Sequence, residues 1–367
     1  MNIKSQIIKA VCTILLFFEG LAGTFAQTVV TQEEMQKVYE EVKTPYKYGL
    51  VVTPPSPDKM VDSPSIFRKG EKWYMYYIIF DGRGYETWMA ESDDLLHWET
   101  KGKVLSFSES TDWDSNQKAG YLALIDNKWG GNYKLKKYDS RYWMSYLGGN
   151  SAGYESGTLA VGMAYTKKNP TTAEEWQRVE QPVLSPTDRD ASWWDNGKIY
   201  KSTVLRDIRK QTGHKFVMFY NAKGNAERIG MAVSNDMINW KRYGKEPLLD
   251  HKRGITGDAY IQRLGNLWVM FYFGFSWNKE TSNKAWDTFA CSYDLVNWTD
   301  WQGEPLIEPS EAYDALYAHK PCVVKHKGIV YHFYCAVSKD NNRGIAVATS
   351  KEIGKSTLHF ETTVKEN

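Results

Sequence analysis

The sequence has 367 residues, with 46 Lys and Arg against 44 Asp and Glu, and therefore a formal net charge of only +2. With 42% hydrophobic and 25% charged residues, this composition is typical of a globular protein and argues against disorder, a collagen-like repeat or a nucleic-acid-binding polycation. The unusual feature is an aromatic content of 14%, which favours a strand-rich structure.

Residues 1–26 have the pattern of a secretory signal peptide. Lys4 and Lys9 precede a short apolar run over residues 10–18, and small residues stand just before Gln27. The run is far shorter than the roughly 20 residues that span a bilayer, so a cleaved signal is favoured over a membrane anchor. The pattern predicts an exported protein, either periplasmic or extracellular.

Residues 27–60 are predicted to form a short helix and a lead-in segment. Thr31 and Glu34 have the spacing of a capping box, and an amphipathic stretch follows as far as Val42, shortly before Pro45. A single helix over this stretch is therefore expected to pack on the domain that follows.

A two-part repeat runs through the rest of the chain and predicts its fold. An aromatic strand that ends in Tyr recurs at 73–77, 142–146, 216–220, 268–272 and 330–334. Each copy is followed by a strand that ends in Ala, a polar turn and an aromatic residue, as in Ala90–Trp98 and Ala232–Trp240. The closing tyrosines are spaced as expected for four-stranded antiparallel units. The repeat predicts an all-β fold, a five-bladed β-propeller with a short N-terminal helix, in which residues 61–367 form one catalytic domain.

The cysteines give little information about function. If the signal is removed, Cys291, Cys322 and Cys335 remain, an odd number that cannot complete a disulfide framework. All three lie in apolar, strand-like runs, which favours buried free thiols, although a bridge between Cys322 and Cys335 stays open at this stage.

Polar residues that could form a site lie at two places in each predicted blade. The innermost strand of a blade starts on one face of a propeller, and the loop between the second and third strands returns to that face, so side chains at both places converge on one central pocket. The charged residues at the inner-strand starts are Asp62, Lys118, Lys201, Asp258, His319 and Lys320. The returning loops add Tyr85, Glu86, Tyr154, Glu155, Trp277 and Arg343.

Carboxylates in such a pocket point to glycoside cleavage, in which one carboxyl protonates the leaving oxygen and a second activates water or attacks the sugar. Gly-Tyr-Glu occurs in two returning loops, at 84–86 and 153–155, and predicts that Glu86 and Glu155 face the same pocket. Trp277 could stack on a sugar, although packing on its own loop is an equally good interpretation. Lys201, Lys320 and Arg343 would suit a sugar that bears a carboxylate, or a phosphate co-substrate.

The first unit resembles glycoside hydrolase family 43 and its five-bladed relatives, the arabinanase, levansucrase and invertase group. The resemblance is carried by Asp62-Ser-Pro-Ser-Ile-Phe, Lys72-Trp-Tyr-Met-Tyr-Tyr and Ala90-Glu-Ser-Asp-Asp-Leu-Leu-His-Trp, and similar units extend to about residue 350. It implies a carbohydrate-active enzyme that inverts the configuration at the anomeric carbon of its substrate. The base would be Asp62, an Asp in blade three would tune the pKa of the general acid, and a Glu in blade four would be that acid. The sequence departs from the family at both later places, where it has Lys201 and Gly257-Asp258.

These features predict a secreted, exo-acting glycoside hydrolase that removes terminal sugars from plant or algal polysaccharide fragments. The catalytic candidates are Asp62 as base or nucleophile, with Glu155, Asp258 or Glu86 as acid, and the substrate-binding candidates are Lys201, Lys320, His319, Tyr85, Tyr154, Trp277 and Arg343. A glycoside phosphorylase like those of family 130 and a non-catalytic carbohydrate-binding propeller are the alternatives. We expect no required cofactor, no nucleic-acid partner and no membrane-spanning segment. A structural Ca²⁺ in the central channel of the propeller stays open.

Overall fold

The computed structural model describes residues 29–109, 111–172, 176–250, 254–276 and 284–361. The predicted signal peptide, at 1–26, lies outside these residues. The described part of the protein is nearly all-β, with one α-helix, α1 (Gln32–Val42), and a short 3-10 helix at Ala312–Asp314. Over these residues, no helix combines the length and the apolar character that crossing a bilayer requires.

The strands form five successive four-stranded antiparallel units within the described residues. Unit one contains β2 (Met60–Lys69), β3 (Lys72–Phe80), β4 (Tyr85–Ser92) and β5 (Glu99–Leu105). Unit two contains β6 (Gln117–Leu122), β7 (Tyr142–Gly149), β8 (Ala160–Thr166) and β9 (Gln177–Arg178). Unit three contains β10 (Lys198–Arg206), β11 (Phe216–Lys223), β12 (Glu227–Ser234) and β13 (Trp240–Arg242).

Unit four contains β14 (Gly254–Leu264), β15 (Leu267–Ser276), β16 (Lys284–Ser292) and β17 (Thr299–Asp300). Unit five contains β18 (Tyr317–His326), β19 (Ile329–Val337), β20 (Arg343–Thr349) and, at its outer edge, β1 (Tyr46–Val52). Units four and five are joined in one eight-stranded sheet by a single parallel pair, Ala285 with Tyr317. Each unit packs against the next, and unit five packs against unit one, which gives a propeller-like arrangement.

The repeat correctly predicted the first three strands of each unit, but β1 was missed. Residues 27–60 were expected to hold only a helix and a lead-in segment, whereas β1 pairs with β20 and completes the last unit. Its partner strand lies about 300 residues later in the sequence, so no local pattern could reveal the pairing. The structure therefore joins the two ends of the described chain in one sheet.

The closing tyrosines of the aromatic strands are buried. Four of them donate a hydrogen bond to a carboxylate: Tyr146 to Asp114, Tyr220 to Asp195, Tyr272 to Asp300 and Tyr334 to Asp314. Because a buried hydroxyl needs a hydrogen-bond partner, these acidic side chains are part of the packing of units two to five and are not available for catalysis.

The polar turn after the third strand has one geometry in three units. In unit one, Ser92 Oγ accepts the backbone N–H groups of Asp94 and Leu95, while Asp94 Oδ1 accepts the next two N–H groups. These bonds hold Leu95 at a φ of 73° with its side chain buried, and Trp98 Nε1 donates to the Leu95 carbonyl at 3.1 Å. The same bonds recur at 234–240 and 292–298.

The helix α1 begins as predicted, with Thr31 and Glu34 forming a capping box. Its Met35, Val38 and Val42 side chains are buried, and Tyr39 stacks on Trp301 of unit four at 5.0 Å between ring centroids. The cysteine prediction is also confirmed, because Cys291, Cys322 and Cys335 are all buried and free.

The buried ion cluster of unit three gives a first testable prediction. Arg242 is 4% exposed and contacts Asp195 at 2.5 Å, Asp188 at 3.2 Å and Asp190 at 2.7 Å. Arg242→Met leaves the fully buried Asp195 without its cation, so we expect a loss of about 3–5 kcal/mol in the free energy of unfolding, measured by urea denaturation. Lys37→Ala, which removes a solvent-exposed pair with Glu33, should leave the urea midpoint unchanged. A similar midpoint for Arg242→Met and wild type would contradict this account.

Candidate active site

A cavity of about 200 Å³ opens where the inner strands begin and the second and third strands of the units meet. Apolar side chains, including Ile78, Leu147 and Phe273, form part of its wall. The polar and charged residues that line it are Ser63, Tyr85, Tyr121, Tyr154, Glu155, Tyr200, Lys201, Asn221, Glu227, Asp258, Tyr317, His319, Lys320 and Arg343. They come from all five units, as expected for a central pocket.

A β-bulge recurs in four of the inner strands where they meet this cavity. The pairing register shifts between Asp62 and Ser65 in β2, and at equivalent places in β10, β14 and β18. Within three of these bulges Ser63, Asp258 and Lys320 have φ values of 48°, 56° and 67°, a conformation that non-glycine residues rarely adopt. Bulges redirect side chains and are frequent beside active sites, and here they turn polar groups toward the cavity.

Asp62 is held by two cations from unit five. Lys320 Nζ lies 2.5 Å and Arg343 Nη1 3.6 Å from Asp62 Oδ2, and the Ser63 backbone N–H donates to Oδ1 at 2.8 Å. Burial by itself would raise the pKa of Asp62, but the charges of Lys320 and Arg343 outweigh burial and hold this pKa well below its usual range. Asp62 is therefore ionised, but it is only 2% exposed and lies behind Ser63 and Lys320.

Asp258 is a second buried carboxylate, with weaker partners. Lys201 Nζ is 3.8 Å and Ser63 Oγ 3.4 Å from its Oδ2. Burial raises the pKa of Asp258, and the nearby charge of Asp62 adds to the increase, while Lys201 and Lys320 offset only part of it. This carboxyl therefore takes up a proton more readily than Asp62 does.

Glu227, at the start of β12, is a site residue that the sequence analysis missed. Its carboxyl lines the cavity and accepts a hydrogen bond from Asn221 Nδ2 at 3.1 Å. Burial, followed by the negative charges of Glu155 and Asp258, raises the pKa of Glu227 to about 7. A carboxyl in this state carries its proton for much of the time near neutral pH and can donate it.

A positional signal could have identified Glu227. It stands five residues before Ala232, the alanine that ends the third-strand motif of unit three. Tyr85, Ala285 and Arg343 stand five residues before the corresponding alanines of units one, four and five, and all of them line the cavity. Alignment of the units on this alanine therefore identifies a position that faces the pocket.

Glu155 and Tyr154 reach the cavity from the loop that precedes β8. Glu155 has a φ of 49°, and the amine of Lys198 donates to its carbonyl. The Tyr154 hydroxyl accepts from Arg343 Nη1 at 3.0 Å, and its ring packs edge-on against that of Tyr85 at 5.9 Å. These contacts hold the loop against both unit one and unit five.

His319 lines the cavity with an uncharged imidazole ring. Burial, followed by the positive charge of Lys320, lowers its pKa to about 3. Its Nδ1 lies 3.2 Å from the Cys335 carbonyl and, in the neutral ring, donates to it. His319 is therefore not a cation near neutral pH and cannot help to bind an anion in that way.

The structure places most of the predicted site residues together. Eight of them line the cavity: Tyr85, Tyr154, Glu155, Lys201, Asp258, His319, Lys320 and Arg343. Asp62 lies directly behind the wall. Trp277 lies outside the described residues. The catalytic and binding roles assigned to these residues stay predictions.

The expectation that Glu86 faces the pocket is wrong. Glu86 lies inside β4, paired with Ile79 of β3, whereas Glu155 lies in a loop, so the two Gly-Tyr-Glu segments are not equivalent. Because side chains alternate along a strand, Tyr85 faces the cavity and Glu86 points to the other side. There it receives hydrogen bonds from Lys103, at 2.9 Å, and from Ser106.

Within the described residues, no group of three or more His, Cys, Asp or Glu side chains is arranged to hold a metal ion. The sequence left room for a structural Ca²⁺ in the channel. This ion stays a prediction, and no role of the residues above depends on it.

Solved structures show what this protein is similar to. One described as a glycoside hydrolase has 50% sequence identity and a TM-score of 0.88, with 91% of the present sequence and 99% of the other covered. A second, a complex of BT0996 with RGII, has 51% identity and the same TM-score and coverage. A thermostable family-43 glycoside hydrolase, at 16% identity and a TM-score of 0.56, covers 84% of the present sequence and 97% of its own and shares the fold.

No protein-family model and no curated protein sequence matches the present sequence.

The raised pKa of Glu227 can be tested without any substrate. Glu155→Gln removes one of the negative charges that oppose ionisation of Glu227, so we expect the pKa of Glu227 to fall below about 7. Carboxyl-¹³C NMR titration of glutamate-labelled protein measures this shift, with Glu227→Gln to assign the signal. Glu246→Gln, which removes an exposed carboxylate outside the cavity, is the matched control. An unchanged Glu227 titration in Glu155→Gln would refute the coupling of the two glutamates.

Proposed function

The protein belongs to the glycoside hydrolases, and we propose that it is an exo-acting enzyme that removes terminal sugars from RGII-derived plant oligosaccharides. The observation that carries this proposal is the pair formed by Glu155 and Glu227, two glutamates that line one small cavity and interact electrostatically. Acid-assisted cleavage of a glycosidic bond needs a carboxyl group that can donate a proton and a second carboxyl group close to it.

Glu227 is the proposed general acid. Its pKa of about 7 keeps the carboxyl largely protonated at slightly acidic pH, so it can transfer a proton to the glycosidic oxygen while the bond between that oxygen and the anomeric carbon breaks. The departing saccharide then leaves as an alcohol, and the negative charge that remains on Glu227 is stabilised by the amide of Asn221.

Glu155 is the proposed second carboxylate. It takes a proton from an attacking water, or attacks the anomeric carbon itself, and the separation of the two carboxyl groups with substrate bound decides between these routes. Asp62, which the family resemblance implies as base, is buried behind Lys320 and has one oxygen on that lysine and the other on the Ser63 N–H. We therefore assign Asp62 to the positioning of Lys320 and Arg343.

The size of the cavity supports exo action. Sites that enclose a drug-sized ligand usually measure roughly 300–1,000 Å³, whereas this cavity measures about 200 Å³. A space of that size suits one terminal sugar better than an internal stretch of a polysaccharide. The RGII assignment rests on the relative with 51% identity, whose structure is described as a complex with RGII.

Hydrolysis is favoured over phosphorolysis by the charges in the cavity. Phosphate needs several basic groups that are free to bind it, but Lys320 and Arg343 already face Asp62. The remaining alternative, a non-catalytic sugar-binding propeller, would have no need for a carboxyl group with a raised pKa.

Two finer expectations belong to the same proposal. We infer that the five units are the blades of a five-bladed propeller, supported by the packing of unit five against unit one and by the completion of unit five by β1. We also infer export to the periplasm or the cell exterior, where polysaccharide fragments occur, from the residue pattern at 1–26.

Glu227→Gln tests the acid role. We expect kcat on RGII oligosaccharides to fall about 10²–10⁴-fold, because no group remains to protonate the leaving oxygen. Aryl glycosides with a strongly acidic phenol need no such proton, so on them the variant should keep most of its rate. Gln36→Glu, on the exposed face of α1, is the control. Equal losses of kcat on both substrate types would show that Glu227 is not the general acid. If wild type binds sugars but hydrolyses none, the non-catalytic sugar-binding propeller would be favoured.

The pH profile follows from the same assignment. Because the acid must be protonated, kcat/KM should bend downward near the pKa of Glu227, at about pH 7, and approach a tenfold fall per pH unit at higher pH. In Glu155→Asp, which keeps the negative charge, this alkaline limb should stay in place, whereas Glu227→Gln should lack it on activated aryl glycosides. An alkaline limb that persists in Glu227→Gln would assign it to another group.

A further inference from the structure

The floor of the cavity contains a buried amine that lacks a hydrogen-bond partner. Lys201 Nζ has none among the described residues, although its side chain is only 4% exposed. The nearest carboxylate oxygen, Asp258 Oδ2, is 3.8 Å away, which is beyond hydrogen-bond length. A buried charged donor in this state is costly, so a group that enters the cavity and accepts a hydrogen bond from it would be bound strongly.

Lys201 stands at the bottom of the cavity. It also lines a second, smaller space of about 30 Å³ that lies deeper between the inner strands, beside Thr203 and Tyr260. The amine thus separates the site from the interior of the fold. A sugar that enters from the open face would meet Lys201 with the part of its ring that lies farthest inside.

A second unpartnered polar atom faces the same region. Asn221 donates to Glu227 through Nδ2, but within the described residues its Oδ1 has no hydrogen-bond partner, and the residue is only 2% exposed. Asn221 and Lys201 both lie against the bulge at Gly257 and Asp258. A Cβ built on Gly257 would stand 3.1 Å from Asn221 Nδ2, and Lys201 contacts Asp258.

The two atoms have complementary needs that one functional group can meet. Lys201 Nζ requires an acceptor, whereas Asn221 Oδ1 requires a donor. A hydroxyl is both, while an ionised carboxylate or phosphate supplies acceptors alone. The negative charges of Asp258 and Glu155 further disfavour an anionic group here.

We propose that Lys201 and Asn221 together recognise a hydroxyl group of the terminal sugar, and that this contact selects a sugar with a hydroxyl, rather than a carboxylate, at its innermost position. The proposal rests on the proposed function for the identity of the site as the one that holds the terminal sugar. It also gives Asn221 a positioning role, because a hydroxyl bound to Oδ1 polarises the amide that donates to Glu227.

Calorimetric titration with free monosaccharides tests the recognition separately from catalysis. The probes are L-arabinose, D-xylose, L-rhamnose and D-galactose, with D-galacturonic acid as the carboxylate counterpart of D-galactose. The neutral sugar that binds wild type best and its monodeoxy derivatives are then each titrated into wild type, Lys201→Met and Asn221→Leu. The control protein is Lys223→Met, whose lysine is exposed on the same unit.

We expect one monodeoxy derivative to bind wild type and the control about 10- to 100-fold more weakly than the parent sugar, the range for a hydrogen bond to a charged group. In Lys201→Met the parent sugar should lose a similar factor, and removal of the same hydroxyl should then cost little more, because the two changes delete one interaction. Asn221→Leu should also reduce the effect of that hydroxyl. The deoxy series on wild type alone retains the test if a variant fails to fold.

Several outcomes would overturn the proposal. The first is that the losses of affinity caused by Lys201→Met and by every deoxy derivative are additive. The second is that D-galacturonic acid binds more tightly than D-galactose and that this preference depends on Lys201. The third is that no neutral sugar binds. Failure of the proposed function has a different signature, since the coupling between Lys201 and one hydroxyl would persist in a protein that hydrolyses no glycoside. Hydrolysis that depends on Glu227 without any such coupling would leave the function intact and remove the hydroxyl recognition.

Discussion

The candidate site depends on a backbone constraint, the β-bulge at the start of four inner strands. A regular strand would send successive side chains to alternate faces, whereas the bulges hold Ser63, Asp258 and Lys320 in a left-handed conformation at the cavity. Such strain persists only when the surrounding structure enforces it. The ladder pairs on both sides of these bulges, between β2 and β3, β14 and β15, and β18 and β19, hold the backbone in place there.

The acidic side chains at the site have different neighbours, and these neighbours determine whether each carboxyl group is ionised or protonated. Asp62 has two close cations and stays ionised, so it orders Lys320 and Arg343. Burial and the charges of two neighbouring carboxylates raise the pKa of Glu227 to about 7, and the charge of Lys320 and the hydrogen bond from Asn221 offset only part of this rise. The site therefore combines a carboxyl behind the cavity wall that is fixed in its charged form with one inside the cavity that can exchange a proton near neutral pH.

The fold could be predicted from the sequence largely because its repeat is local, while parts of the site could not. The aromatic strands, the capping box at Thr31 and the cysteine state all follow from short patterns. The β1 pairing spans the sequence, and Glu86 and Glu155 share a motif but differ in whether they lie inside a strand, which the motif does not encode. Glu227 has no motif of its own, and only its position five residues before Ala232 indicates that it faces the pocket.

That position also explains how a site can change while its fold is retained. Tyr85, Glu227, Ala285 and Arg343 occupy equivalent places at the start of the third strand in four units, and each faces the cavity. Any of these places could carry an acid without a change in the backbone, because the symmetry of the units brings them to one centre. The family-43 resemblance implies an acid in the fourth unit, yet here the fourth unit has Asp258, paired with Lys201. In the proposed assignment the acid is Glu227 of the third unit, hydrogen-bonded to Asn221, so Lys201 can stay beside Asp258 and contact the substrate.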